Sequence, residues 1–359
     1  MITISVCMIV KNEEDVLDRC LQAVRQFADE IIIADTGSSD RTKEIAGRYT
    51  RQVHDIPWTE DFAAARNAAF DKATMDYCMW LDADDVVDRE NIEKLNRLKE
   101  TLSPEVDMVK MRYHTGFDAQ GTVTFSYYRE RLVRRAAKFR WVGAVHEVIP
   151  PSGRVIHSEI AILHKKIHPS DGDRNLRIYQ HQIQQGVILS PRDQFYYARE
   201  LFYHNQLQEA VEILETFLDS GMGWVENNIE GCKLLAQCYQ KQEKQHKALE
   251  ALFRSFCFDR PRAELCCQIG DLLFTQGQIQ SAVYWYQVAL KQTRNDSSGA
   301  FVQPDCYDYH PYIQLCLCYD RLGDHQKANA YNEKAGRIKP GSKAYLYNKS
   351  YFEKRADHR

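Results

Sequence analysis

Hydrophobic positions along this 359-residue chain follow two rhythms, and the change between them falls near the middle. In the first part, short apolar runs alternate with helical patterns. Residues 4–10 (ISVCMIV) predict a buried strand, and 13–27 an amphipathic helix with Val16, Leu17, Cys20, Leu21 and Val24 on one side. A second strand is predicted at 31–34, a second helix at 42–49, a less apolar strand at 53–56, an Ala-rich helix at 62–73 and another strand at 77–81. Alternation at this spacing demands right-handed crossovers and a mainly parallel sheet. In such sheets the ligand site lies at the carboxyl ends of the strands. From 107 to about 166 the runs become longer and more aromatic. Strands at 108–113, 123–131, 138–148 and 155–164 predict a mixed or antiparallel extension covering that edge, and 174–187 reads as a connecting helix.

Beyond Pro191 the period is helical and the pattern repeats. Ala210, Ala248, Ala282 and Ala328 each have a small or apolar residue twelve positions earlier, namely Ala198, Ala236, Gly270 and Cys316. Large residues precede these (Tyr197, Leu235, Ile269, Leu315) and follow three later (Leu201, Tyr239, Leu273, Tyr319). This small–large arrangement resembles the tetratricopeptide helix pair, whose period is about 34 residues. The spacings here are 38, 34 and 46 (differences of the four alanine positions), so two junctions carry insertions, the larger including Asn295-Asp296-Ser297-Ser298-Gly299. Four units are expected, the first the least regular. The domain plan is then 1–170 for the α/β domain, 171–190 for a connecting helix, 191–345 for the repeats and 346–359 for a tail.

Composition narrows the class. With 44% hydrophobic and 27% charged residues the chain reads as an ordinary folded protein. A net charge of −3 supplies neither a basic footprint for nucleic acid nor a polybasic membrane arm. The first apolar run is short and followed at once by acids, unlike a signal peptide. No apolar stretch approaches the roughly 18–20 residues that span a bilayer. A soluble, cytoplasmic protein is expected. The eleven cysteines are odd in number and contain no Cys-x-x-Cys, so reduced thiols are expected rather than a disulfide or zinc framework.

The residues after each strand carry the chemistry: Lys11-Asn12-Glu13, then Asp35-Thr36-Gly37-Ser38-Ser39-Asp40, then Asp82-Ala83-Asp84-Asp85. All three should converge on one edge of the sheet. Hard carboxylate oxygens after an apolar strand suit Mg2+ or Mn2+ held together with phosphate oxygens. Alone, Asp82-Ala83-Asp84 reads equally as acids capping a helix over 89–100. Taken together, Val10-Lys11-Asn12-Glu13-Glu14, Glu30 to Thr42, Ala65-Arg66-Asn67 and Trp80-Leu81-Asp82-Ala83-Asp84 closely resemble the family 2 glycosyltransferases in order and spacing across about 75 residues.

That resemblance implies an A-type transferase fold, inversion at the sugar carbon and, usually, a UDP-sugar donor. It implies that Asp35 accepts a hydrogen bond from the uracil ring, flanked by backbone at Ile9, Val10 and Lys11. Arg66 would lie near the base or phosphates, and Asp82, with Ala83 beside it, at the ribose. Asp84 would hold the metal. Asp35 as a turn residue and Arg66 as a structural salt bridge remain open. Further on, Gly143-Ala144-Val145-His146-Glu147 resembles a segment of the family that carries a His-Glu pair after a glycine. It implies Glu147 as the base and His146 as a residue lining the donor pocket or orienting it. Glu147 salt-bridged to Arg131, Arg134, Arg135 or Arg140 is the alternative. His164, ending the last strand, would complete the metal site.

A family 2 domain with a His-Glu segment and a helical-repeat tail resembles in build the bacterial bacteriocin glycosyltransferases, which modify a peptide side chain. The expectation is a metal-dependent hexosyltransferase whose repeats dock a peptide or protein acceptor, with a homo-oligomer through the repeats as a further reading. A transferase acting on a cell-envelope saccharide and a repeat scaffold with an inactive transferase domain are the alternatives.

Overall fold

A computed structural model describes residues 1–117, 121, 123–165, 167, 172–295 and 302–357. The chain forms two compact units, Met1–Ile188 and Leu189–Arg359. In the first, the order is β1 (Ile4–Val10), α1 (Leu17–Val24), β2 (Glu30–Asp35), α2 (Thr42–Ala46), β3 (Val53–Asp55), α3 (Phe62–Phe70), β4 (Tyr77–Trp80), β5 (Asp85–Val86), α4 (Arg89–Thr101), β6 (Met108–Phe117), β7 (Val123–Arg134), β8 (Val155–His164) and α5 (Arg174–Gln184).

One eight-stranded sheet runs β3-β2-β1-β4-β7-β6-β8-β5. The first four strands in that order pair in parallel, as the alternation predicts. β7 pairs antiparallel with both β4 and β6, while β6 and β8 are parallel. Side chains alternate across the sheet. Ile4, Val6 and Met8 of β1 join Leu17, Leu21 and Val24 of α1 and Leu95 of α4 in one core layer. Cys7, Ile32, Ala34 and Trp80 face the other way, against Ala63, Ala69 and Phe70 of α3. Fully burying each Ile or Leu stabilises by about 1.5–3 kcal/mol. The alanines keep α3 slim against the sheet, and Asp61 caps it by accepting from Ala64 N.

Two expectations fail in this unit. Residues 138–148 are not a strand. Apart from a Val142–Val148 antiparallel bridge, they form a loop that turns through left-handed backbone at Lys138, Gly143 and His146. Extended pairing cannot continue through such residues. Trp141, Ala144, Val145 and Ile149 are nevertheless buried, so the apolar signal was real and its conformation was not legible. The helix expected from residue 13 starts only at Leu17, after a turn closed by Val16 N–H and Leu17 N–H donating to Glu13 O.

The second unit is helical throughout its described regular structure: α6 (Pro191–Tyr203), α7 (Leu207–Ser220), α8 (Val225–Lys241), α9 (Gln245–Arg254), α10 (Ala263–Thr275), α11 (Ile279–Ala289), α12 (Tyr309–Arg321), α13 (His325–Ile338) and α14 (Lys343–Asp357), with short 3-10 turns between. α6/α7, α8/α9, α10/α11 and α12/α13 pack as four hairpins among the described residues. Ala198, Ala210, Ala248, Ala282 and Ala328 are fully buried at their crossings. Gly270 shows why smallness matters, since a Cβ there would sit 2.6 Å from the Tyr286 ring. Most of the insertion at 295–299 lies outside the described residues. The tail expected over 346–359 is instead helical to Asp357. Tyr345, Asn348 and Phe352 recur at helical spacing and are buried, so this segment closes the stack. Among the described residues no helix is long and apolar enough to cross a membrane.

Candidate active site

β1 lies between β2 and β4, so the loops leaving these three strands meet at one edge. The first two are laced together. Thr36 N–H and Oγ1 donate to Val10 O at 3.0 and 3.1 Å. Asn12 N–H donates to Ser38 Oγ, and Asn12 Oδ1 accepts from Ser39 N–H at 2.8 Å. Thr42 Oγ1 accepts from Glu13 N–H at 2.7 Å. Ile9 and Val10 stand in register with Ala34 and Asp35, and Lys11 follows them exposed.

Asp35 is fully buried. Its Oδ1 accepts from Gly37 N–H and Ser38 N–H at 2.9 and 2.8 Å, in a turn that needs φ +105° at Gly37. Its Oδ2 is buried and has no hydrogen-bond partner among the described residues. Buried carboxylate oxygens are costly to leave unsatisfied, so this atom is an acceptor set for a donor group. The turn role and a buried, unsatisfied acceptor coexist in one side chain.

Arg66 of α3 is 7% exposed and sandwiched by Trp80 and Trp141, each ring centre 4.9 Å from its guanidinium carbon. Its Nη2 donates to Asp82 Oδ1 at 2.8 Å and its Nε to Glu147 Oε1 at 2.6 Å, while Nη1 is buried without a partner among the described residues. Arg66 is thus a salt bridge, and it joins two of the residues singled out in the sequence. Glu147 pairs with it rather than with Arg131, Arg134, Arg135 or Arg140. Burial works against charge on Asp82, but Arg66 and then Arg131 outweigh it and hold its pKa down at about 2.

The two acids of Asp82-Ala83-Asp84 part company. Ala83 is buried between them. Asp84 points to β8, where its Oδ1 lies 3.2 Å from His164 Nδ1, and Asp85 Oδ1 lies 3.5 Å from the same nitrogen. Neither approach has hydrogen-bond alignment, and Nδ1 is a buried atom without such a partner among the described residues. Contact with Asp84, then with Asp85, pushes the His164 pKa up to about 10. Ligand atoms of Asp84, Asp85 and His164 all fall within 4.8 Å of one another. Neither Asp82 nor Asp84 caps the following helix, since Asp88 does so by accepting from Asn91 N–H.

Asp85 was missed by sequence reasoning as a site residue. It pairs across β5–β8 with His164 itself. Being fully buried, it is held by Arg131 Nη1 at 3.0 Å, Tyr113 Oη at 3.0 Å and the Asp82 N–H at 3.1 Å. Arg131 is also buried, 3.6 Å over the Trp80 ring. A polar run after an apolar strand gave no sign of which acid would be the internal one. Cys20 and Arg19 on α1 steady the loop from the other side, bonding Asp82 O and Asp84 O.

His146 and Glu147 belong to the loop that replaced the expected strand. Both are half-buried, and Arg129 Nη2 donates to Glu147 O at 3.3 Å. Asn67, quoted in the sequence but given no role, bonds Trp141 at the base of this loop.

Residues 5–161 match the family model described as Glycosyl transferase family 2. A TPR repeat-containing protein of Synechococcus elongatus is 36% identical over 154 residues, which are 42% of this chain and 36% of that protein. The SPbeta prophage-derived glycosyltransferase SunS of Bacillus subtilis is 26% identical over 238 residues, covering 61% of this chain and 54% of that one. Lipopolysaccharide core biosynthesis glycosyltransferase LpsC of Rhizobium meliloti is 28% identical over 163 residues, covering 42% and 58%. The chain therefore spans about a third to three fifths of the length of these relatives. Among solved structures, the TPR protein YrrB covers 50% of this chain and 84% of its own, at 18% identity and a TM-score of 0.39, too low to carry an argument. Residues 5–161 thus carry the similarity to glycosyl transferase family 2, and the same chain joins them to a unit of packed helix hairpins.

Proposed function

We propose that this chain transfers a sugar from a nucleoside diphosphate, with inversion, to an acceptor side chain on a peptide or protein. The observation that carries the reading is the gathering, on one sheet edge, of an unsatisfied buried carboxylate at Asp35, the Asp82–Arg66–Glu147 chain and the Asp84–Asp85–His164 cluster. Asp35 Oδ2 takes the ring N–H of a base such as uracil, beside the backbone of Ile9, Val10 and Lys11. Asp82 and Ala83 lie at the ribose.

The Asp84–His164 pair fits a divalent cation, Mn2+ or Mg2+, because both offer ligand atoms and His164 Nδ1 is buried without a hydrogen bond. Asp85 is already engaged by Arg131 and Tyr113 and serves as support. When bound, such a cation neutralises the leaving diphosphate. Glu147 takes the proton of the acceptor as its nucleophile bonds to the anomeric carbon and the carbon–oxygen bond to the diphosphate breaks. Arg66 occupies Glu147 Oε1, and His146 lines the donor pocket beside it.

The acceptor reading rests on the helical unit, because stacked helix pairs expose an extended groove suited to a peptide. An acceptor saccharide of the cell envelope is the second reading, supported by the likeness to LpsC. The site reading is tested by UDP binding with and without Mn2+. His164→Ala should weaken the Mn2+-dependent part of the affinity, by about tenfold or more if one ligand bond is lost. Unchanged binding would remove His164 from the site.

A further inference from the structure

Glu147 lies in a stretch with little secondary structure of its own. Between Trp141 and Ile149 the backbone forms a single bridge, Val142 with Val148, and passes through φ 95° at Gly143 and φ 53° at His146. A non-glycine residue in that region is strained and persists only where its surroundings over-determine it. The anchors are supplied from outside the loop. Phe62 N–H donates to Ala144 O at 2.9 Å, and Arg66 and Arg129 hold Glu147 at its carboxylate and carbonyl.

At the base of the loop the anchor is Asn67. Its Nδ2 donates to Trp141 O at 3.0 Å, and its Oδ1 accepts from Trp141 N–H at 2.9 Å. This is the two-way pairing a neighbouring strand would provide, delivered by one side chain. Consecutive residues of α3 therefore grip the loop twice, Asn67 at its start and Arg66 at Glu147. The consequences run along two routes. Val142 follows Trp141 and bridges Val148, the residue next to Glu147. The Trp141 ring packs beneath Arg66 and edge-on to Trp80 at 5.1 Å, which places the guanidinium that holds Glu147.

We propose that Asn67 is a positioning residue, fixing the Glu147 carboxylate through the backbone and ring of Trp141. The inference rests on Glu147 being the base proposed above. Alanine at 67 removes both bonds. Aspartate keeps an acceptor for Trp141 N–H but turns a charge on Trp141 O.

The test uses the full chain as wild type, N67A, N67D, E147Q and N67A/E147Q. Steady-state transfer is measured alongside calorimetric UDP binding in Mn2+. N67A and N67D should lower kcat about ten- to a hundredfold, the cost of misplacing a reacting group by about an ångström. Donor KM and UDP affinity should stay within about twofold, as befits a loss felt in the transition state alone. The double variant should be no slower than E147Q, because nothing remains for Asn67 to position.

Wild-type kcat in N67A and N67D, losses that multiply in the double variant, or UDP binding that falls along with kcat in both substitutions would each overturn the proposal. E147Q turning over like wild type would instead show that the base assignment itself is wrong, and the proposal would fall with it.

Discussion

Asp35 combines a turn role with an unsatisfied buried acceptor. Its Oδ1 closes the turn onto Gly37 and Ser38, while Oδ2 has no hydrogen-bond partner among the described residues. Asp35→Asn can keep the turn by offering its amide oxygen, but then turns an NH2 group toward the base. Donor KM should rise tenfold or more, about 1.4 kcal/mol or above, with the melting temperature little changed. An unaltered KM would make Asp35 a turn residue and nothing else. Arg131 is the opposite case, a buried residue that supports the site from within. Removing it strands Asp85 in the core without its cation. Arg131→Met should therefore destabilise by about 3–5 kcal/mol, the cost of breaking a buried pair by one partner. Chemical denaturation reads this directly, and a loss below 1 kcal/mol would mean that Asp85 adapts by other means. Sequence reasoning singled out the acids at 35, 82 and 84 because they follow apolar strands. It could not sort Asp85 from Asp84, since neighbours in sequence differ only in the direction the backbone turns them.

At the scale of elements, the strands and helices of the α/β part were legible because one-sided burial imposes a period. β1 and β8 fall where the pattern placed them, and β5 was missed because two residues carry no period. The 138–148 loop was misread for a related reason. Its apolar residues are buried, but left-handed backbone at Lys138 and His146 leaves no mark in side-chain chemistry, and Gly143 alone hinted at it. The start of β2 makes a pH-dependent prediction. Burial opposes charge on Glu30, yet hydrogen bonds from Ser5, Thr74 and Gln52 outweigh it and lower its pKa. A depressed carboxylate adds stability above its unfolded pKa of about 4.3, and that stability is lost as pH falls through the lower folded value. The urea midpoint of the wild type should therefore fall between neutral and acid pH more steeply than that of Glu30→Gln. Parallel curves would remove Glu30 from the acid response.

At the scale of the whole molecule, two periodicities in one sequence became two compact units, the second closed by a helix where a tail was expected. The repeat positions were legible because helix crossings demand small residues at a fixed spacing. The acceptor was not, since a groove is defined by surface side chains that obey no period. If the repeats dock the acceptor, residues 1–188 alone, shown folded by circular dichroism, should release diphosphate from the donor by hydrolysis but fail to transfer to a peptide. Transfer at the full-length rate would relieve the repeats of that role. The central claim is that the Asp35–Arg66–Asp82–Asp84 edge works on a nucleotide sugar with a divalent cation. It is tested most directly by nucleoside diphosphate release from a panel of nucleotide sugars with Mn2+ or Mg2+, wild type against Asp84→Ala. The account predicts metal-dependent turnover of at least one donor, reduced about a hundredfold or more by the substitution. Turnover of no donor, or an Asp84→Ala variant as fast as wild type, would contradict it.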